Sequence, residues 1–358
     1  MSPADPSAAP AQPPAPAAAL GGLAALHPAY FALVMATGIV SLAEYIRGFH
    51  WIARALLVVN LVAYPTLWAL TVARIVRYRA QFAADLQHHG RAVGFFTIVA
   101  ATCVLGSDLL VVGDFFAAAM ALWVAGIALW VILTYAIFTI LTIQREKPPL
   151  AEGLNGGWLV AVVAAQSVAS LGAQLSARMG GSAPNAMVLF CLAMWLGGGM
   201  LYIWIIGLIF YRYTFLPMSP SDLAPPYWIN MGAAAISTLA GANLVLAAPS
   251  SPLVQLVLPF ARGLTLMWWA TATWWIPMLV SLGIWRHAFR KFPLRYDPLY
   301  WGAVFPLGMY TVATARLSAA IDASFLMAIP RVSIWVAVAA WMLAAAGLVS
   351  RLLRRRRS

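Results

Sequence analysis

The residues able to do chemistry are few and widely spaced. The stretch YWGAVFPLGMYTVATARL, residues 300–317, sets Phe305 directly before Pro306, places Gly308 two residues on, and carries Arg316 inside an otherwise apolar run. Pro306 lacks a backbone donor and its ring crowds the preceding turn, so a helix through it is predicted to kink around Pro306 and Gly308. Arg316 follows Phe305 by eleven residues, which on an unbroken helix is about 20° in azimuth and about 16 Å along the axis. The two therefore share a face. A guanidinium at that depth attracts anions or pairs with an acid, and Glu44 and Asp108 are the acids at matching helix ends. Spacing alone leaves Phe305 open between an ordinary packed aromatic and a functional one.

Polar residues recur with helical spacing in other apolar segments. Tyr30, Thr37, Ser41 and Glu44 fall on one face of the first, and Thr97, Ala101, Val104 and Asp108 on one face of the third. Ser167, Ser170 and Gln174 cluster on the fifth, and Asn230, Ala234, Ser237 and Gly241 align on the seventh. Hydroxyls, amides and small side chains with few fixed charges suit a weakly binding aqueous path. The expected lining residues are Thr37, Ser41, Thr97, Ser170, Ser237 and Arg316. Small residues also mediate close helix packing in membranes, which is the competing reading for any single segment.

Enzyme chemistry is not expected. No HExxH or GxSxG motif occurs, His88 and His89 are neighbours in a loop, and His27, His50 and His287 stand alone at segment ends. Cys103 and Cys191 lie in apolar runs without motif spacing, so neither a metal site nor a disulfide is predicted. No cofactor is implied.

These residues must be positioned by membrane helices. Of 358 residues 63% are hydrophobic and only 9% charged, against about 45–50% apolar and about 25% charged in soluble domains. The fold class is an all-α integral membrane protein. Ten spans fit the hydropathy, at 28–46, 51–78, 92–112, 115–143, 157–176, 186–211, 226–247, 262–285, 299–321 and 330–350. The run SPLVQLVLPF before the eighth reads as an interfacial or re-entrant lead-in, because Pro252 and Pro259 interrupt it. Odd spans hold small and hydroxylic runs such as VMATGIVS and GAAAISTLAG, whereas even spans are heavy in Trp, Leu, Ile and Phe. Five helical hairpins are expected, odd helices inside and even helices facing lipid.

The net charge of +12 does not point to nucleic acid, since the basic residues sit in short loops and at the C-terminus. Alternate loops collect Arg74, Arg77, Arg79, Arg91, Arg145, Lys147, Arg286, Arg290 and Lys291, while the opposite side holds only Arg47, Arg54, Arg178 and Arg331. That bias places both termini in the cytoplasm. Residues 1–27, rich in Ala and Pro and without Lys or Arg, read as a disordered cytoplasmic tail. Residues 28–350 form the membrane domain, and 351–358 a basic tail that attracts anionic headgroups.

FPLGMYTVAT, with PPYWINMGAAAISTLAG upstream and YFALVMATGIVSLAEY at the start, resembles the tellurite-resistance and C4-dicarboxylate transporter family, which includes plant guard-cell slow anion channels and yeast sulfite and malate exporters. The similarity runs over residues 28–350. It implies five hairpins around a central pore lined by the odd helices, proline-kinked inner helices, and a phenylalanine plug, which by motif is Phe305. It also implies a homotrimer with one pore per subunit, small inorganic or carboxylate anions as cargo, and a bacterial inner membrane as location. The plant channels carry long kinase-regulated tails. The N-terminal tail here offers Ser2 and Ser7 without neighbouring basic residues, so phosphorylation control is not expected. Channel transport is the leading reading, with proton-coupled carriage of dicarboxylate or sulfite, titrating Glu44 or Asp108, as the alternative.

Overall fold

The computed structural model describes residues 22–294 and 296–355. It is built from helices, and among the described residues no strand occurs. Among the described residues the ten long helices are α1 (Ala32–Ile46), α2 (His50–Arg77), α3 (Phe96–Val111), α4 (Phe116–Ile143), α5 (Val160–Met179), α6 (Asn185–Phe215), α7 (Ile229–Ala247), α8 (Leu258–Ile284), α9 (Trp301–Ala320) and α10 (Ala328–Arg355). Eight segments, containing α1 to α7 and α10, are long and apolar enough to cross a membrane, so the chain is an integral membrane protein. The other two carry an arginine and an internal proline each, Arg262 and Pro277 in α8, Arg316 and Pro306 in α9. The lead-in before α8 is the short helix Pro252–Leu256.

The odd helices pack in a closed ring, α1 on α3, α3 on α5, α5 on α7, α7 on α9, and α9 back on α1. Each even helix packs on the odd helix before it and on the one after it, with α10 closing onto α1. The burial pattern follows. The most apolar window of His89–Val111 is 100% buried, whereas that of Phe116–Ile143 is 17% buried. Val62 on α2, Ile132 on α4, Trp204 on α6 and Leu343 on α10 are exposed, giving an apolar outer belt suited to hydrocarbon.

One contact repeats around the ring. An aromatic donor from each even helix reaches the back of the next odd helix: Tyr64 shares a hydrogen bond with Thr102 Oγ1 (2.8 Å), Trp123 Nε1 donates to Val168 O (3.0 Å), Trp195 Nε1 to Ser237 O (2.9 Å), Trp269 Nε1 to Thr314 Oγ1 (3.0 Å) and Trp341 Nε1 to Thr37 Oγ1 (3.0 Å). Buried Trp and Tyr need such partners, and in an interface without water the other helix must supply them.

Glycines set the closest approaches. A Cβ on Gly232 of α7 would lie 2.6 Å from Pro306 Cγ of α9, and one on Gly308 would lie 2.8 Å from Ile39 Cγ2 of α1. Pro306 and Gly308 thus seat α9 between its two ring neighbours, and α9 continues as one helix through Pro306.

Both ends extend the fold beyond the expected domain limits. Gly22–Ala25 forms a 3₁₀ turn whose Ala24 carbonyl accepts from Arg74 Nε (3.3 Å), so residues 22–27, assigned to the tail by composition, pack on the bundle. The remainder of that expected tail, with Ser2 and Ser7, lies outside the described residues, as do residues 356–358. The basic segment from 351 continues α10 to Arg355.

Replacing Gly232 by Ala inserts a methyl where Pro306 already sits, and overpacking of this kind costs about 1–3 kcal/mol. Gly232→Ala should lower the thermal midpoint in detergent. Gly207→Ala on α6, with nothing within 4 Å of the added carbon, should leave it unchanged or raise it.

Candidate functional site

Three cavities follow one another inside the ring, and each is lined by residues from all five odd helices or their lead-in turns. No residue of an even helix lines any of them. The N-terminal cavity, about 90 Å³, reaches from His27, Gly94, Asn155 and Ala224 to Met35, Val163 and Phe305. The middle void, about 10 Å³, is bounded by Ile39, Ser167, Ser170, Ile236, Leu239 and Met309. The C-terminal cavity, about 200 Å³, is lined by Leu42, Ile46, Gln174, Asn243, Val312 and Arg316. A void of that middle size holds about one water molecule. The row is therefore closed between Phe305 and Leu239.

The N-terminal cavity is built from helix starts. Every odd helix is preceded by a 3₁₀ turn: Pro28–Phe31, Val93–Phe95, Gly156–Leu159, Pro225–Trp228 and Pro298–Tyr300. The first turns of five parallel helices face one space, so their backbone N–H groups and dipoles make it favourable for negative charge. Side chains cap several of these turns, His27 Nδ1 accepting from Ala29 N (3.0 Å), Asn155 Oδ1 from Gly157 N (2.8 Å) and Asp297 Oδ1 from Leu299 N (2.7 Å). Buried arginines tie the loops down from outside. Arg212 donates to Leu154 O (2.5 Å), Arg286 donates to Leu223 O, and Arg74 pairs with Asp85 at 2.7 Å.

Phe305 is 1% exposed and forms the floor of this cavity. On the same face of α9, Gly302, Phe305, Met309, Val312 and Arg316 line successive cavities. Arg316 and Phe305 do share the inward face. The Arg316 guanidinium is half-buried in the C-terminal cavity, its Nε donating to Asn243 Oδ1 (3.0 Å). Asn243 Nδ2 donates to Ser170 Oγ (3.0 Å), and Gln174 Nε2 to Ser170 Oγ (3.3 Å) and Ser107 Oγ (3.1 Å). This chain crosses from α9 to α3 and fixes the guanidinium against the ring wall.

Glu44 and Asp108 are not its partners. Among the described residues no ion pair joins Arg316 to either acid. Asp108 instead contacts Ser41 Oγ at 2.6 Å, and Glu44 Oε2 is buried without a hydrogen bond. Arg316 is a cation balanced by amides and hydroxyls, which leaves its charge available to an ion in the cavity.

Of the expected lining residues, Thr97, Ser170 and Arg316 line the row of cavities, while Thr37, Ser41 and Ser237 do not. Thr37 and the Ser237 carbonyl receive the indole donors of Trp341 and Trp195 on the outer flank of the ring, and Ser41 faces α2 and α3. The hydroxylic faces of α1 and α7 serve helix packing. The faces turned inward are more apolar, with Met35, Ile39, Leu42 and Ile46 on α1 and Ile236 and Leu239 on α7. A signal for them exists in the sequence. Steps of three and four residues through Phe305 and Arg316 give 302, 305, 309, 312 and 316, and the same steps on α1 give 32, 35, 39, 42 and 46.

The sequence pattern of the voltage-dependent anion channel family matches residues 25–349, the segment that builds the ring and all three cavities. The chain belongs to that family. An uncharacterized transporter of Methanocaldococcus jannaschii is 26% identical over 290 residues, covering 80% of this chain and 82% of its own. A sulfite efflux pump of Arthroderma otae is 24% identical over 320 residues, 81% of each chain. An uncharacterized membrane protein of Mycobacterium tuberculosis is 40% identical over 141 residues, 39% of this chain and 71% of its own. The family model describes an anion channel, and two of these relatives are named as a transporter and a sulfite efflux pump.

His27 gives this site a pH-dependent element. Its Nδ1 accepts a backbone hydrogen bond, so the neutral ring carries its proton on Nε2, and burial followed by the nearby Arg91 charge pushes its pKa down to about 4. With the folded value below the unfolded one near 6.5, the neutral ring stabilises the fold above about pH 6.5, and that contribution is lost as pH falls toward 4. The thermal midpoint should therefore drop over that interval. His27→Asn, which keeps a cap acceptor but does not titrate, should flatten the drop; an identical pH profile would refute the assignment.

Proposed function

We propose that the five odd helices enclose the pore of an anion channel, within ten spans arranged as five hairpins, and that Phe305 is its gate. The observation that carries this reading is the file of three cavities lined by the inner ring, closed immediately beyond the Phe305 ring. The positive ends of five helices at one mouth and the Arg316 guanidinium near the other make both openings attractive to anions. Between them lies a constriction of mainly apolar side chains, with Ser107, Ser167 and Ser170 as its hydroxyls, and a void too small for a file of water opposes an ion that must stay hydrated. Movement of the Phe305 side chain joins the N-terminal cavity to the void beyond. With the basic residues clustered beside the odd-helix N-termini, this mouth faces the cytoplasm and both chain termini lie there, in the inner membrane of the cell.

Phe305→Ala should raise anion conductance in planar bilayers. Truncating a packed phenylalanine costs about 3–5 kcal/mol, so the folded state of the variant is checked alongside; unchanged currents from folded protein would remove the gate. Arg316→Gln keeps a hydrogen-bond donor for Asn243 but removes the charge. Under a salt gradient its reversal potential should shift from the anion equilibrium value toward zero, whereas an unshifted potential would show that Arg316 does not select charge.

A second reading, proton-coupled carriage of sulfite or a C4-dicarboxylate, draws on the fungal relatives named sulfite efflux pumps. A carrier saturates and follows the pH gradient. A channel passes current with voltage at symmetric pH.

A further inference from the structure

Asp108 lies at the meeting point of α1, α2 and α3, 0% exposed and outside the row of cavities. Its Oδ1 is 2.6 Å from Ser41 Oγ, and Ser41 Oγ is also 2.9 Å from the Ala53 carbonyl. Ser41 has one hydroxyl hydrogen. If Asp108 were ionised, two acceptors would compete for that hydrogen and one would be left bare. Asn60 Nδ2 donates one hydrogen to Val34 O (3.2 Å) and keeps its second for the Oδ2 side of Asp108, which leaves the shortage at Oδ1, Ser41 and Ala53 O in place. A second hydrogen is needed.

No cation supplies the balance. None of the ion pairs among the described residues includes Asp108. The titratable groups on the packed elements at this end are Glu44, Tyr45 and Arg47 of α1 and its cap, His50 and Arg54 of α2, and Arg178 of α5, which pairs with Asp114. An unpaired carboxylate buried this completely is far costlier than the neutral acid. We propose that Asp108 is a proton-binding site, a carboxylic acid that donates Oδ1–H to Ser41 Oγ while Ser41 donates to Ala53 O, so that one bound proton completes a hydrogen-bonded chain from α3 through α1 to α2. Gly38 makes room for it. A Cβ there would come within 2.9 Å of Asn60 Nδ2 and 3.8 Å of Asp108 Oδ2.

The site backs directly onto the cavity wall. Ser107, the preceding residue, bounds the middle void and accepts from Gln174, and Leu42, next to Ser41, lines the middle and C-terminal cavities. Loss of the proton turns the Ser41 hydroxyl to the carboxylate, breaks the α1–α2 link through Ala53 and leaves a charge without a counter-ion one residue behind that wall. Anion flux is then lost at alkaline pH, a consequence that rests on the pore reading, whereas the bound proton does not.

Infrared spectra of the protein in lipid at neutral pH, in H₂O and D₂O, test the proton itself. The wild type should show a carboxylic-acid carbonyl band that shifts in D₂O, is lost in Asp108→Asn, and moves to higher frequency in Ser41→Ala, where the acid has lost its acceptor. Glu44→Gln should keep it. Absence of such a band from the wild type, or a band unmoved in Ser41→Ala, would overturn the proposal, and neither result needs Asp108→Asn to fold. In flux measurements the wild type should lose transport as pH rises while Asp108→Asn, whose amide donates to Ser41 at any pH, should not. A band assigned to Asp108 with no anion flux at any pH would sink the pore reading and leave the proton site standing.

Discussion

The hydrogen bond from an aromatic side chain of each even helix to the back of the next odd helix is the contact on which this architecture turns. Trp341 to Thr37, Tyr64 to Thr102, Trp123 to Val168, Trp195 to Ser237 and Trp269 to Thr314 tie the outer helices to the inner ring at five comparable points. In hydrocarbon a free indole N–H or a free hydroxyl has no water to turn to, so each contact fixes both rotation and depth of the helix pair. Orienting the odd helices from behind decides what they present in front. On α1 and α7 the hydroxyl-bearing flank goes outward to meet the aromatic donors and Met, Ile and Leu face the axis, whereas α3 and α5 keep Ser107, Ser167 and Ser170 on the inner side.

In the proposed pore that orientation leaves charge at the ends of the path and mainly apolar side chains at its waist. Five helix starts at one mouth and Arg316 at the other lower the energy of an anion in the two wider cavities. The space between Phe305, Met309, Ile236 and Leu239 offers it almost no solvent. On the pore reading, opposing demands are met in this way: anions are gathered electrostatically without a deep binding well, and leakage is limited by dehydration rather than by a charge of the same sign. The amide and hydroxyl chain from Arg316 through Asn243 and Ser170 to Gln174 serves the same end, holding the guanidinium without neutralising it.

Much of the outline was legible from residue types. The alternation of small, hydroxylic runs with Trp- and Leu-rich runs foretold which helices are buried, because membrane helices that pack closely need small side chains whereas those facing lipid do not. The eleven-residue separation of Phe305 and Arg316 predicts one face, and on α9 Phe305 lines the N-terminal cavity and Arg316 the C-terminal one. On α1 and α7 the face turned inward is the apolar one, opposite to the expectation from their hydroxyls. Thr37, Ser41 and Ser237 look like the lining of a wet path, but a helix sequence does not reveal that a tryptophan about 40 to 300 residues away will claim a hydroxyl or carbonyl. Pairing of Arg316 with Glu44 or Asp108 failed for a related reason, since Asn243 and Ser41 are nearer and linear sequence gives no rotation of one helix against another.

Single-cysteine reactivity toward a membrane-impermeant thiol reagent tests directly which faces form the path. The account predicts that Met35→Cys reacts from the odd-helix N-terminal side alone, Val312→Cys from the opposite side alone, and Thr37→Cys and Ser237→Cys from neither. Reaction at Thr37→Cys and Ser237→Cys with silence at Met35→Cys and Val312→Cys would contradict it.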